Sequence, residues 1–356
     1  MINKKIGKRS HLLRITSLAN IKINFYIKGN IMVNSGWSRT ESPFHSGELA
    51  IQARLGIQNR MDRQGRRMIR EYLTKEHQEF FAQLPYVIIG TVDKSGNPWA
   101  SILVGKPGFI NSPSDRHLTL KAQPLAGDPL VSTLGEGIDI GFLGIEFHSR
   151  RRNRINGIVT KTNFDGFEVQ VGQTFGNCPQ YIQARSWEQV ESNVSPQMNE
   201  IETFSEWERD LITNADTFFI ATAYQDNFRD ITKGVDVSHR GGKPGFIKVE
   251  ENQALTIPDF SGNNHFNTLG NLELYPYSGL LFIDFIQGDI LYLTGKTKVI
   301  WSGDEISNYA GAEQLIRFHL TKGYRVTASL PIRWSSPKFS PFLERTGSCS
   351  LIDNGQ

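Results

Sequence analysis

The sequence predicts a mainly β protein: two tandem copies of one small antiparallel barrel, with flanking helices. Three observations lead there. The hexapeptide Gly-Lys-Pro-Gly-Phe-Ile occurs twice, at residues 105–110 and 242–247. The segments that follow it recur in the same order at nearly the same spacing. Short apolar runs joined by Gly, Pro and Asn turns, with few helical stretches between them, are the pattern of a small barrel.

A repeat decides how many units a chain holds, so it comes before any other feature. Leu118-Thr119-Leu120 corresponds to Leu255-Thr256-Ile257, and Thr133-Leu134-Gly135 to Thr268-Leu269-Gly270. Residues 141–147 correspond to 279–285, and Gly157 to Gly295. Chance likeness between turns does not keep order and spacing over so long a stretch. The chain therefore reads as a duplication, with an extension over residues 1–43 that is partly disordered, a first barrel domain over 44–190, a second over 191–345 and a tail over 346–356.

Each copy opens with a helical segment whose apolar residues are three and four apart: Met68, Ile69, Tyr72, Leu73, Phe80 and Phe81, then Ile201, Phe204, Trp207 and Leu211. A strand follows, YVIIGTV (86–92) or TFFIATA (217–223). A second strand leads into the repeated hexapeptide, where Pro presets φ and Gly supplies a positive φ, as a type II turn requires. The third strand is HLTL (117–120) or ALTI (254–257). After a polar loop and a short helix come IGFLGIEF (140–147) and GLLFIDF (279–285), apolar on nearly every residue, as where both faces are buried. RINGIV (154–159) and ILYLTGKTKV (290–299) close the hairpins with more alternation.

Composition narrows the function. Of 356 residues, 38% are apolar and 21% charged, an ordinary globular balance. No apolar run reaches the roughly 20 residues that span a bilayer, and GLLFIDFI is broken by Asp284. Lys4, Lys5, Lys8, Arg9, Arg14, Lys22 and Lys28 precede any acid, so the body beyond them holds fewer basic than acidic residues. That leader lacks the apolar core and cleavage site of a secretory signal, and Met32 reads as an alternative start. An acidic body without aromatic-interleaved basic runs argues against nucleic acid. The two cysteines, Cys178 and Cys349, form no CxxC or Cys/His cluster, so no metal or iron–sulfur site is expected and a reducing cytoplasm is.

Two segments of the second copy carry candidate chemistry. In Val235-Asp236-Val237-Ser238-His239-Arg240-Gly241-Gly242, a two-residue period puts Asp236, Ser238 and Arg240 on one face and Val235, Val237 and His239 on the other. Ser, His and Asp then cannot form a triad. A hydroxyl and a guanidinium instead enter a Gly-Gly stretch able to form an anion nest. In residues 259–271, Asn263, Asn264, Asn267, Thr268 and Asn271 surround a short helix whose start would be capped by such residues and would itself attract anions. The first copy has Asp128 and Pro129 at that place, which leaves the second copy the better site. Neither a P-loop nor a dinucleotide fingerprint is present. The run Arg150-Arg151-Arg152-Asn153-Arg154 reads either as a solvated hairpin tip or as a contact to a ligand phosphate across the domain interface.

The order strand, turn, strand, polar helix start, apolar strand and closing strand resembles the pyridoxamine 5′-phosphate oxidase-like, FMN-binding split barrels. Within them, FHSGELAIQARLG (44–56), PWASILVGKPGF (98–109), FGNCPQYIQAR (175–185), DVSHRGGKPGF (236–246) and the 255–271 segment are similar to an uncharacterised bacterial subfamily with two tandem barrels. The resemblance implies two split barrels, FMN at their interface and flavin-dependent redox chemistry on a small molecule. A nicotinamide or protein electron donor and a homodimer follow from it. Its cofactor-binding residues would be Ser238, His239, Arg240, Lys243, Asn263, Asn264, Asn267, Thr268 and Asn271, with Arg240 or Lys243 stabilising a reduced, anionic ring. The family's phosphate-binding arginine falls at Ser101 or Ser238, its second lysine near Asn267 and Thr268, and its glutamine at Arg152 or Ile290. These departures count against pyridoxamine phosphate oxidation itself. The catalytic residues stay unassigned, and a non-catalytic flavin protein or a haem protein ligated by His239 or His265 are the alternatives.

Overall fold

The computed structural model describes residues 36–191, 194–224 and 232–347. The basic leader, Met32 and Cys349 lie outside them, so the expectations about them are not addressed. Helices α1 (Ser46–Arg54), α2 (Gln58–Met68) and α3 (Lys75–Ala82) come first. The first sheet follows: β1 (Tyr86–Val92), β2 (Pro98–Val104), β3 (Ile110–Ser114), β4 (His117–Leu120), helix α4 (Leu130–Thr133), β5 (Asp139–Glu146), β6 (Arg151–Asn163) and β7 (Gly166–Gly176). Strands β8 (Trp187–Gln189) and β9 (Gln197–Ile201) and helix α5 (Glu206–Asn214) lead to the second sheet. It consists of β10 (Thr217–Tyr224), β11 (Gly234–Gly241), β12 (Lys248–Glu250), β13 (Ala254–Phe260), helix α6 (Asn267–Leu274), β14 (Tyr277–Ile283), β15 (Ile290–Ile300) and β16 (Ala312–Thr327). Strand β17 (Ile332–Trp334) pairs with β8.

The two sheets have one topology. The first runs β2-β1-β5-β6-β7-β4-β3, the second β11-β10-β14-β15-β16-β13-β12, antiparallel throughout, with β9 added beside β16. Each sheet curls on itself, because alternate residues of every strand converge on one interior. Val87, Ile89, Leu103, Leu118, Phe142, Ile155 and Val169 fill the first barrel; Phe218, Ile220, Leu255, Phe282, Leu291 and Phe318 fill the second. The intervening residues Ile88, Ile102, Leu143, Phe219, Val237, Leu281 and Tyr292 form a third core between the barrels. The central strands are therefore buried on both faces, which is why they read as unbroken apolar runs.

Contacts between barrels are reciprocal: β2 lies on β10, β14 and β15, and β11 lies on β1, β5 and β6. Glycines allow the approach. A Cβ on Gly141 would stand 2.4 Å from the Val235 carbonyl oxygen, and one on Gly279 2.4 Å from that of Pro98. Gly157 and Gly295 each sit at a register shift, at matching places in β6 and β15.

The hexapeptide forms the expected turn twice. Phe109 N–H donates to Lys106 O at 2.9 Å with Gly108 at φ 96°, and Phe246 N–H to Lys243 O at 2.9 Å with Gly245 at φ 83°. Gly108 and Gly245 N–H also bond the helix before each sheet, at Ala82 O and Thr213 O, both 2.7 Å. The opening helices are shorter than their apolar spacing predicts. Met68 ends α2, Arg70 bridges Thr174, and the chain re-enters a helix only after Thr74, whose hydroxyl accepts from His77 N–H. Ile201 belongs to β9, and α5 begins after Ser205 in a capping box with Glu208. Caps override the spacing because they satisfy N–H groups that have no partner within a helix. Strands β3, β7, β12 and β16, which carry many polar residues and close the barrels, have no unbroken apolar run that would announce them in the sequence.

Candidate functional site

The central feature is a cleft where the β6 strand of the first barrel meets β11, β13 and α6 of the second. Strand alternation builds it. In β6, Arg152 and Arg154 lie two apart and so share a face. Both turn across the interface instead of pointing to solvent. Arg154 is 6% exposed; its Nη1 lies 3.4 Å from Asp236 Oδ1 and 3.3 Å from Asn267 Oδ1, and its Nη2 donates to Ser238 Oγ. Arg152 donates from Nε to Cys178 O at 2.8 Å and from Nη1 to His239 O at 3.4 Å. The arginine run is thus not simply a hairpin tip, because half of it crosses to the second barrel.

On β11 the predicted two faces hold. Val235 and Val237 are buried, and the His239 ring meets Phe219 and Phe147 edge-on, 5.9 and 6.4 Å between centroids. Asp236 and Ser238 face the cleft side. Asp236 accepts from Asn156 Nδ2 at 2.9 Å and from Asn271 Nδ2 at 3.1 Å, and Ser238 Oγ lies 2.9 Å from Thr268 Oγ1. Arg240 pairs with Asp259, which also accepts from Gln314.

A cavity of about 90 Å³ lies among Arg152, Arg154, Arg240, Ser238, Asn263 and the start of α6. It shares Arg152, Asn177 and Asn263 with a wider groove of about 560 Å³ along the β6–β7 rim. The smaller space suits a group of phosphate size, and the larger suits a bulky body attached to it. The N-cap of helix α6 is Phe266, whose φ of 65° is left-handed, and no side chain caps the helix. The expected Ser, Asn or Thr cap is absent: Asn263 Oδ1 is used two residues earlier, by His265 N–H.

Three guanidiniums, Arg152, Arg154 and Arg240, and two carboxylates, Asp259 and Glu313, line the cavity. Burial, then the neighbouring Arg154, lowers the pKa of Arg152, with Arg240 adding to it. Burial likewise lowers that of Arg154, with Asp236 opposing and Arg240 reinforcing. His239 is pushed well below its ordinary value by burial and by Arg152, Arg240 and Arg185, so it is neutral. Donors are also in surplus. Arg154 Nε, Arg240 Nε and Asn177 Nδ2 are buried donors without a hydrogen-bond partner among the described residues, as are both ring nitrogens of the neutral His239, one a donor and one an acceptor.

Of the predicted site residues, Ser238, His239, Arg240, Asn263, Asn264, Asn267 and Thr268 line this cavity. Asn271 lies beneath it, donating to Asp236 and to Thr222 Oγ1 at 3.1 Å each. Lys243 does not line it; its carbonyl closes the type II turn, and the turn's geometry carries the side chain elsewhere. The Gly241-Gly242 nest is not formed either, since Gly242 N–H donates to Asp216 O at 3.1 Å. His265 sits apart between Phe44 and Phe175, 5.3 and 5.9 Å between centroids, with burial pushing its pKa to about 4. Arg152 and Arg154 reach across the interface, as the second reading of the arginine run expects, and their i, i+2 spacing in RRNR is the signal that they share a face; Asn177 carries no such signal.

The same place in the other half is shut. By strand register Leu143 opposes Arg154 as Leu281 opposes Tyr292, so Tyr292 stands where Arg154 does. By the repeat, Ser101 matches Ser238, Ile102 matches His239, Leu103 matches Arg240 and Ile290 matches Arg152. Tyr292 Oη donates to Asp128 Oδ2 at 2.9 Å, and Ser101 Oγ donates to Asp128 Oδ1 at 2.5 Å. All three side chains are buried and satisfy one another.

No family model matches the chain, and no curated protein does. Solved structures similar to it include a candidate pyridoxamine 5′-phosphate oxidase of Lactobacillus delbrueckii, at 12% identity and a TM-score of 0.28, covering 34% of this chain and 93% of that one. HupZ of Group A Streptococcus has 11% identity and a TM-score of 0.28, covering 35% and 96%. A FAD-binding protein of Mesorhizobium loti has 9% identity and a TM-score of 0.24, covering 37% and 99%. At that distance they carry no functional argument, which rests on the site.

Proposed function

We propose that the chain is a flavoprotein that binds one FMN in the cleft between its barrels and uses it for redox chemistry on a small molecule. The observation that carries the reading is the convergence of Arg152, Arg154 and Arg240 on one phosphate-sized cavity beside an uncapped helix start. Guanidiniums that lower one another's pKa are relieved by an anion, and a helix N-terminus favours the same charge. Arg154, Ser238, Thr268 and Asn267 would hold the phosphate, while Arg152, Asn177 and Asn263 would flank the body in the wider groove. The surplus of buried donors suits a ligand rich in acceptors.

A bound flavin would supply hydride and electron transfer. This chain's residues would bind and orient it. Lys243 drops out of the ring-stabilising role, and Arg240 enters it only by sharing Asp259. One site per chain is proposed because the matching place holds Tyr292, Ile102, Leu103 and Ile290 in place of the donors. The haem alternative would need His239 to turn, because its ring packs against Phe219 and Phe147 on the face away from the cavity, and His265 does not line the cavity.

The visible spectrum of the purified chain tests this directly. Flavin bands near one FMN per chain are expected, and Arg154→Met should weaken FMN binding by about tenfold or more. A Soret band lost in His239→Ala would replace the reading with haem. Neither chromophore, together with no FMN binding on titration, would overturn it.

A further inference from the structure

The motif FHSGELAIQARLG folds as α1 and lies far from the barrel strands in sequence. Yet α1 packs on α6 of the second barrel, so closely that a Cβ on Gly47 would stand 2.1 Å from Gly270 O. That contact brings one acid to Asn267, a residue of the cleft. Glu48 is 2% exposed, accepts from His45 N–H at 2.9 Å on Oε2, and accepts from Asn267 Nδ2 at 2.5 Å on Oε1. The amide of Asn267 is thereby fixed, with its oxygen turned to Arg154 Nη1 at 3.3 Å.

We propose that Glu48 is a positioning residue of the anion site: through Asn267 it orients Arg154, and its own ionisation sets how strongly the site holds an anion. This rests on the reading of the cleft as a phosphate site. Two carboxylates, Glu48 and Asp236, share one buried guanidinium. Among the described residues, the charged or titratable groups facing Glu48 are His45 at the N-cap of its own helix, with Nε2 3.6 Å from Oε2, Asp236 on β11 and Arg154 on β6. Helix α6 contributes Asn267 and no charge there. Burial, then Asp236, raises the Glu48 pKa well above the ordinary carboxylate value.

The sign follows from linkage. Below that raised pKa Glu48 is neutral and Arg154 is balanced by Asp236 alone. Above it a second negative charge stands beside Arg154 and opposes an incoming anion. Anion binding is therefore coupled to proton uptake, and affinity falls as pH rises, by at most about tenfold per pH unit for one linked proton.

Sulfate is the probe, because its charge is constant from mild acid to mild base while that of phosphate is not. Sulfate affinity of the full chain should fall with pH in the wild type and be flat in Glu48→Gln, which keeps the acceptor but cannot ionise; a titrating His45 would leave the slope in place. Glu48→Ala should weaken sulfate by about fivefold at the acid end, where Glu48 is neutral, the loss of one neutral hydrogen bond of about 1 kcal/mol, with an unchanged circular dichroism spectrum. An unchanged slope in Glu48→Gln, or undiminished binding in Glu48→Ala, overturns the role of Glu48 and leaves the site standing. A wild type that binds neither sulfate nor FMN overturns both.

Discussion

Asp128 is a useful residue to begin with, because it shows what a closed copy of the site costs. It is a fully enclosed carboxyl held by Ser101, Tyr292 and the Leu130 N–H. Burial outweighs those hydrogen bonds and raises its pKa to about 6. Since its folded pKa exceeds the unfolded value, its favourable contribution is complete below about pH 4 and is lost as pH rises through about 6. A shift of some two pH units corresponds to at most about 3 kcal/mol. Asp128→Asn should therefore raise the melting temperature relative to wild type at pH 7.5 and lose that advantage near pH 4. A gap between the two proteins that does not change with pH would contradict the assignment. Arg154 is the opposite case, since its removal strands Asp236 in a buried place. Arg154→Met should destabilise by about 3 kcal/mol in denaturant unfolding, and an unchanged midpoint would show that Asn156 and Asn271 alone satisfy Asp236.

At the scale of elements, the paired glycines of β5 and β14 bring the barrels together. Gly279→Ala would force a methyl against the Pro98 carbonyl and the Trp99 Cα. It should cost about 1–3 kcal/mol, the usual penalty for overpacking. Gly135→Ala is the control, because nothing lies within 4 Å of its Cβ position, and it should leave the melting temperature nearly unchanged. Equal effects of the two substitutions would show that the interface does not depend on that approach. The hexapeptide belongs to this scale too. Its lysines, prolines and glycines serve the turn that joins the two ends of each curled sheet, and neither lysine is needed at the cleft.

For the whole molecule, two sheets of identical strand order pack reciprocally but differ in what they offer at the interface. Such an arrangement is what a duplicated ancestor with two equivalent sites would become after one site closed, and we propose that history. It predicts an FMN-to-chain ratio near one in equilibrium dialysis, whatever the assembly of chains in solution. A ratio near two would mean that the Tyr292 side opens and binds as well.

The sequence alone determined the apolar central strands, the type II turns, the repeat and the face on which Ser238 and Arg240 lie, because these depend on periodicities of two residues and on the φ angles of Pro and Gly. Asn263, Asn264, Asn267 and Thr268 were legible for the same local reason: polar residues before a helix attract attention wherever they stand. What only the tertiary structure decided is the partnership across the interface. Arg154 meets Ser238 over a gap of 84 residues, and Glu48 meets Asn267 over 219. No local rule specifies such a contact; it is set by how the barrels pack, and so by the glycines that let their backbones touch. The same packing leaves Lys243 off the cavity wall, spends Gly242 N–H on Asp216, and carries Arg152 and Arg154 of the arginine run across the interface.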